Sequence, residues 1–253
     1  MMDQPIHQDG ASTQAQGAPG SGEMFDTIAE RYDLLNRVLS LGLDGSWRRR
    51  AVRALQLSEA TDTHVLDLAA GTGDLSFAIA AAHPKASVVG VDPSTAMLQI
   101  AQEKAQRIAV QERVTFQVGD AQQLELEEDS FDACSIAFGI RNVPRRDLAL
   151  REMARVVRPG GRIVILELSI PRSGLMAWGA RLQVDYVVPL VGGFLSGPQA
   201  YRHLRDSMHA FPSNDQFALD MGEAGLEVSS VDVLAPGVCT VFAAQVPAAT
   251  GSA

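Results

Sequence analysis

The stretch VLDLAAGTGDLS, residues 65–76, decides the fold. It reads as a buried strand carrying Asp67, then a turn with Gly71, Thr72 and Gly73, then a helix opening at Asp74. Glycine there permits positive φ and lets backbone approach a ligand closely. Outward from this unit, short apolar runs alternate with helical patterns. HVLDLA (64–69), SVVGVD (87–92), VTFQVGD (114–120), FDACSIAF (131–138) and GRIVILELS (161–169) read as strands. Asp74–Ala82, Ser94–Val110 and Arg145–Val157 read as the helices between them. The alternation predicts an α/β chain with a mostly parallel sheet covered on both faces. Leu226–Leu234 and Gly237–Val246 are linked only through Pro236-Gly237, which predicts an antiparallel hairpin at the sheet edge. Ahead of the sheet, Phe25, Ile28, Tyr32, Leu35 and Leu39 recur at helical spacing. Leu34, Val38 and Leu41 form a second stripe, Asp26, Glu30, Arg31 and Arg37 a wet face, and Gly42 an end; a second helix is expected over Trp47–Leu55.

Asp67, Asp92 and Asp120 stand at or near the ends of three successive strands, where open α/β sheets bind ligands. Alone, a GxG fits a tight turn and a strand-end Asp fits a helix cap. Together, at these topological places, they predict one crevice. Asp92 lies 19 residues after Gly73, near the spacing of a ribose-binding acid in a dinucleotide fold. A pyrophosphate would favour a third glycine and few acids, whereas the third position is Ser76 and acids stand at 67 and 74. An acid-rich crevice suits S-adenosylmethionine, with its sulfonium and ammonium. On this reading Asp92 accepts both ribose hydroxyls, Asp120 and Ala121 read the adenine, and the Gly71–Gly73 turn faces the methionine moiety.

Composition removes other classes. Acids outnumber Lys+Arg by 30 to 21, a net charge of -9, which disfavours nucleic acid as partner. Neither Cys134 nor Cys239 lies in a CxxC, so a zinc ribbon is excluded, both thiols read as core, and no ligand cluster argues for a metal. Residues 1–23 read as a disordered tail without signal-peptide character, and 247–253 as a second tail. No stretch has the roughly 20 apolar residues of a spanning helix. The expected organisation is a helical cover over 24–58 and one domain over 62–246, with a helical insertion at about 172–210.

YDLLNRVLSLGLDGSW (32–47), AFGIRNV (137–143), RVVRPGGRIVILELS (155–169) and YRHLRDSMHAF (201–211) resemble motifs of the ubiquinone/menaquinone biosynthesis C-methyltransferases, over about residues 24–245. The sequence departs at Leu35, Val157, Asp44 (in place of a signature His), Ala137 (in place of a cofactor-contacting Ser) and Phe242 (in place of a His in some members). The resemblance implies a class I S-adenosylmethionine-dependent methyltransferase fold of Rossmann-like type. Thr72, Asp92, Asp120 and Ala121 match its cofactor positions. It also implies methyl transfer to a ring carbon of a polyprenylated quinol, either demethylmenaquinol or the 2-polyprenyl-6-methoxy-1,4-benzoquinol of ubiquinone synthesis. Asp44 and Phe242 lean the choice to menaquinone.

A hydroquinone carbon becomes nucleophilic when the neighbouring hydroxyl loses its proton, so the site must stabilise a phenolate-like oxygen. Arg141, with Asn142, is the candidate stabiliser; a guanidinium is too basic to take the proton itself. Tyr32, Asp33 and His203 are the candidate proton handlers. The helix at 25–41 and the segment 172–200 are expected to cover the site and meet the prenyl tail. Arg48–Arg50 with Arg53, and Arg141 with Arg145, Arg146, Arg151, Arg155 and Arg158, form two basic clusters that predict transient contact with a membrane surface. The expected location is cytoplasmic, peripheral at the inner face of the membrane, and a homodimer is plausible. Three alternatives stay open: methylation of another lipid, a non-catalytic scaffold of a quinone-synthesis complex, and a nicotinamide-dependent reductase.

Overall fold

The computed structural model describes residues 26, 29, 32–34, 36–38, 40–169 and 206–248. His203, the segment 172–200, Phe25, Ile28, Leu35, Leu39 and the tail 1–23 lie outside the described residues. Among the described residues the elements run α1 (Asp44–Ala54), β1 (Thr63–Leu68), α2 (Asp74–Ala82), β2 (Ala86–Asp92), α3 (Thr95–Arg107), β3 (Val114–Val118), β4 (Phe131–Ala137), α4 (Arg146–Val156), β5 (Val157–Leu168), α5 (Asn214–Glu223), β6 (Glu227–Leu234) and β7 (Cys239–Gln245). The strands form one seven-stranded sheet in the order β3-β2-β1-β4-β5-β7-β6. The first five are parallel; β7 runs antiparallel between β5 and β6. The class I methyltransferase architecture and its edge hairpin are both present.

Both faces of the central strands are buried, so their apolar residues divide by parity. Leu66, Cys134, Ile163 and Ile165 face one core, with Leu150 and Met153 of α4 and Phe217 of α5. Val65, Ala133, Val164 and Leu166 face the other, with Trp47 and Val52 of α1 and Ile79 of α2. This two-sided burial is why β1, β4 and β5 read as near-continuous apolar runs. Truncating a fully buried Met or Ile to Ala at such positions costs about 2–5 kcal/mol. Phe242 lies here too, its ring 4.9 Å from that of Phe217. Cys134 and Cys239 are buried free thiols, as expected.

Several boundaries differ from the sequence expectation. α1 begins at Asp44 rather than Trp47, because Asp44 complements the helix N-terminus and bonds Arg48 one turn on. α3 stops at Arg107. α4 ends at Val156, and β5 starts at once and continues through Pro159-Gly160-Gly161, which the sequence suggests is a break. An irregularity in the β4–β5 pairing between Phe131 and Ala133 absorbs these residues. Leu34 and Leu41 do not form a buried second stripe: they are 52% and 62% exposed. Leu34 is two residues from Tyr32, hence roughly 200° around a helix from the side that faces the sheet. Asp26 does not face water alone either, since its carboxylate accepts from the Ser94 hydroxyl (2.5 Å) and the Ala96 N–H (3.3 Å).

Candidate active site

The β1–α2 turn needs its glycines for two separate reasons. Gly71 and Gly73 both adopt positive φ, 54° and 86°. A Cβ at Gly73 would also stand 2.7 Å from the Phe77 ring and 2.8 Å from Phe116. Ala69 (φ 48°) and Phe138 (φ 57°) hold the same left-handed conformation without being glycine. They close β1 and β4, and both line the crevice between those strands. Side-chain residues in this region typically cost about 1–3 kcal/mol each, a strain concentrated at functional sites.

Asp67 is 1% exposed. Its carboxylate accepts from the hydroxyls of Ser76 (2.6 Å) and Ser135 (2.8 Å). Burial raises its pKa to about 6, against those hydrogen bonds and the positive field of Arg48. Asp92 accepts from the N–H of Ser94 (2.8 Å) and of Gly71 (2.8 Å), so one carboxylate orders both the Gly-rich turn and the start of α3. Burial raises this pKa also, with Asp26 adding to the rise. Ser94 in turn caps α3 by accepting from the Met97 N–H. Asp120 follows β3, two strands across from β1, and is exposed. Its carboxylate accepts from the backbone and side-chain N–H groups of Gln122. Ala121, half-buried, packs against the core beside it.

Residues ahead of α1 lie over the Gly-rich turn. Thr72 donates to Asp33 at 2.5 Å, and Lys104 of α3 ion-pairs with Asp33 and with Asp74 (3.1 Å). Tyr32 sits 3.8 Å from where a Gly71 Cβ would be. Burial raises its phenol pKa, while the hydrogen bond with Asn36 and the charges of Arg141 and Arg48 act the other way. A small cavity of about 30 Å³ lies between Tyr32, Arg48, Asp67, Thr72 and Phe138. Ala137, where a serine is usual in the family, lines it as well. Ser135, two residues earlier on the same face of β4, supplies a hydroxyl to Asp67.

Arg141 and Asn142 lie in a short 3-10 turn, Ile140–Asn142, after β4. The Arg141 side chain is 8% exposed and ion-pairs with Glu167 of β5 at 2.5 Å; Glu167 is fully buried. Glu167 also accepts from the N–H of Arg141 (3.1 Å) and of Leu168 (2.7 Å). Arg141 further donates to the Phe138 carbonyl at 2.6 Å, while its Nε has no partner. Glu167 is absent from the sequence-based site, although a lone acid inside the apolar run IVILEL was a legible signal. Ser135, Arg48 and Lys104 were missed as well.

The basic clusters are largely consumed by pairing. Arg48 and Arg141 are buried, and Arg50, Arg145, Arg155 and Arg158 pair with Asp232, Asp147, Glu152 and Asp132. Among the described residues no helix is long and apolar enough to cross a membrane, and no group of three or more His, Cys, Asp or Glu could hold a metal.

A mostly parallel sheet with a Gly-rich turn does not by itself select a family. The sequence itself decides the family, matching the ubiE/COQ5 methyltransferase family over residues 13–245. The chain belongs to that family. A relative in Geotalea daltonii, a "Ubiquinone/menaquinone biosynthesis C-methyltransferase UbiE", is 43% identical over 224 residues, 88% of this chain and 94% of its own. The "Demethylmenaquinone methyltransferase" of Thermus thermophilus is also 43% identical, over 88% of this chain and 100% of its own. Among solved structures, the [4+2]-cyclase SpnF is similar with TM-score 0.67 at 16% identity, covering 90% of this chain and 96% of its own. A SAM-dependent methyltransferase from Aquifex aeolicus is similar with TM-score 0.54 at 18% identity, covering 74% and 83%. At such identities these two likenesses concern the fold. As a ubiE/COQ5 family member the chain is a methyltransferase, and S-adenosylmethionine is its methyl donor. The residues fit that donor: two buried carboxylates, Asp67 and Asp92, are satisfied by neutral groups and keep lone pairs and net negative charge for a cationic ligand.

Proposed function

We propose that the protein methylates a ring carbon of a polyprenylated quinol, with demethylmenaquinol as the principal substrate. The observation that carries this reading is the buried Arg141–Glu167 pair, beside the carboxylate-lined turn, in a chain of this family. S-adenosylmethionine supplies an electrophilic methyl group on a sulfonium centre. Asp92 accepts the ribose hydroxyls, Asp120 and Ala121 receive the adenine, and Thr72 with the Gly71–Gly73 turn borders the methionine moiety, whose ammonium Asp67 attracts. Arg141 stabilises the quinol oxygen as it gains negative charge, acting from a position fixed by Glu167. Asn142 follows it in the same turn and orients the ring. Tyr32 acts as a hydrogen-bond donor rather than a base, because burial keeps its phenol protonated at neutral pH.

Incubation with radiolabelled methyl donor and reduced lipid extract from demethylmenaquinone-accumulating cells tests the reading. Label in menaquinone supports it, and absence of label there overturns it. The benzoquinol of ubiquinone synthesis is the second substrate to assay, since relatives of similar identity carry both names. Label only in ubiquinone-type product moves the assignment to that step. The residue ranges given above (cover 24–58, catalytic domain 62–246, insertion about 172–210) go with this proposal. So does transient contact with the leaflet that holds the prenyl tail, checked by liposome flotation with and without quinol.

A further inference from the structure

Arg48 belongs by sequence to the run Arg48–Arg50, a surface cluster on its face, yet its side chain is only 10% exposed. α1 turns it inward, where its guanidinium lies 5.9 Å from the Phe138 ring centroid. One Nη donates to Asp44 at 2.5 Å and the other lies 3.2 Å from Asp74. Both carboxylates have further partners, Ser40 for Asp44 and Lys104 for Asp74. A guanidinium carries five N–H donors, so these two contacts leave donors over. Among the described residues that line the small cavity between Tyr32 and Phe138, Arg48 is the one cation.

The methyl donor carries an α-ammonium and an α-carboxylate on adjacent bonds. Asp67 answers the first. Nothing assigned so far answers the second, and a carboxylate brought into an acid-rich crevice without a cation would be repelled. We propose that Arg48 binds the α-carboxylate of the cofactor, forming with Asp67 a two-point clamp on its amino-acid end. The proposal rests on the cofactor reading and deepens it. Preorganisation comes from Asp44, which stands where the family usually has His and bonds Arg48 one helical turn away. Against burial, the hydrogen bond and charge of Arg48 and the Ser40 hydroxyl hold the Asp44 carboxyl below its usual range. The Phe138 ring lies within cation–π range of the guanidinium at 5.9 Å, and a guanidinium fork suits a carboxylate better than a spherical anion.

The experiment is calorimetric titration of the full chain with S-adenosylmethionine and with decarboxylated S-adenosylmethionine, which lacks only the carboxylate. Wild type should prefer the intact cofactor on the order of 100-fold, and Arg48→Met should abolish the preference by weakening the intact cofactor alone. Unchanged affinity for the decarboxylated compound shows that the variant site is intact. Arg48→Lys keeps charge but loses the fork and should retain part of the preference, which keeps the test decisive if Arg48→Met does not fold. Equal weakening of both ligands, or no weakening, overturns the proposal and leaves the cofactor reading standing. If wild type binds neither compound, the cofactor reading itself falls, and the Arg48 clamp with it.

Discussion

On the β1–β2 side of the crevice, Asp67 and Asp92 are buried carboxylates held by hydroxyls and backbone N–H groups; on the β4–β5 side, Glu167 is a buried carboxylate held by a guanidinium. The same chemical group is thus used in two ways. Neutral partners orient a carboxylate without cancelling its charge; burial raises the pKa of Asp67 and of Asp92, the hydrogen bonds offset part of that rise, and the ionised groups keep a negative field for a cationic ligand. An ionic partner cancels the charge, and Glu167 instead fixes Arg141 where a developing oxyanion would need it. On the proposed reading, a cationic donor would meet the net negative side, and the quinol oxygen would meet N–H donors of a charge-neutral pair.

The largest effect should come from breaking the second side. Arg141→Ala should lower turnover by about 10²–10³-fold, the loss typical of an oxyanion stabiliser, with cofactor affinity retained. It also leaves Glu167 buried and unpaired, which costs about 3–5 kcal/mol of stability. The double variant Arg141→Met/Glu167→Gln separates the two consequences. Thermal denaturation should recover most of the loss in the double variant, while the methyl-transfer assay should not recover at all. Turnover near wild type in either variant removes Arg141 from the mechanism.

Next is the first side. Asp92→Ala strands the N–H groups of Gly71 and Ser94, at about 1–3 kcal/mol each, and removes the ribose acceptor. S-adenosylhomocysteine titration should show a drop of at least about 100-fold, more than one lost hydrogen bond would give. A drop below tenfold would mean that Asp92 orders the turn without touching the ligand.

The pH response separates the sides more finely. With a folded pKa of about 6, Asp67 is protonated in the free protein at lower pH and cannot attract the cofactor ammonium. Affinity should rise with pH and level off above about 6, with proton release on binding below it. The stability sign is opposite. A carboxyl raised from about 3.9 binds its proton more tightly folded than unfolded, so its contribution is full below about pH 4 and is lost, by roughly 3 kcal/mol in all, as pH rises through about 6. Asp67→Asn should remove both dependences, as read by isothermal titration and urea unfolding across pH 4–8.

How much of this the sequence carried depends on separation along the chain. Asp67, the Gly71–Gly73 turn and Asp92 lie within one strand–turn–helix–strand unit, so local spacing alone placed them at neighbouring strand ends. Glu167 and Arg141 lie 26 residues apart and Ser135 and Asp67 lie 68 apart; each partner is an ordinary residue until the sheet order puts β1, β4 and β5 side by side. Arg48 misled for a related reason. The helical phase set by Trp47, Ala51 and Val52 turns Arg48, the first of three consecutive arginines, toward the core side.

The smallest effect tests the covering residues. Asp33 bridges Thr72 and Lys104 across the turn, but it is 42% exposed, and ion pairs of that exposure are worth about 0–1 kcal/mol. Asp33→Ala should therefore barely change unfolding. Thr72 loses its acceptor and the segment ahead of α1 loses a tether to the turn, so cofactor exchange should quicken with little change in equilibrium affinity, a difference visible in stopped-flow release of S-adenosylhomocysteine. The same substitution leaves Arg141 and Glu167 untouched, and transfer from prebound cofactor should keep its rate. A slowed transfer step would mean that the cover couples the two sides of the crevice, and that the division of charge between them is not independent of what lies over it.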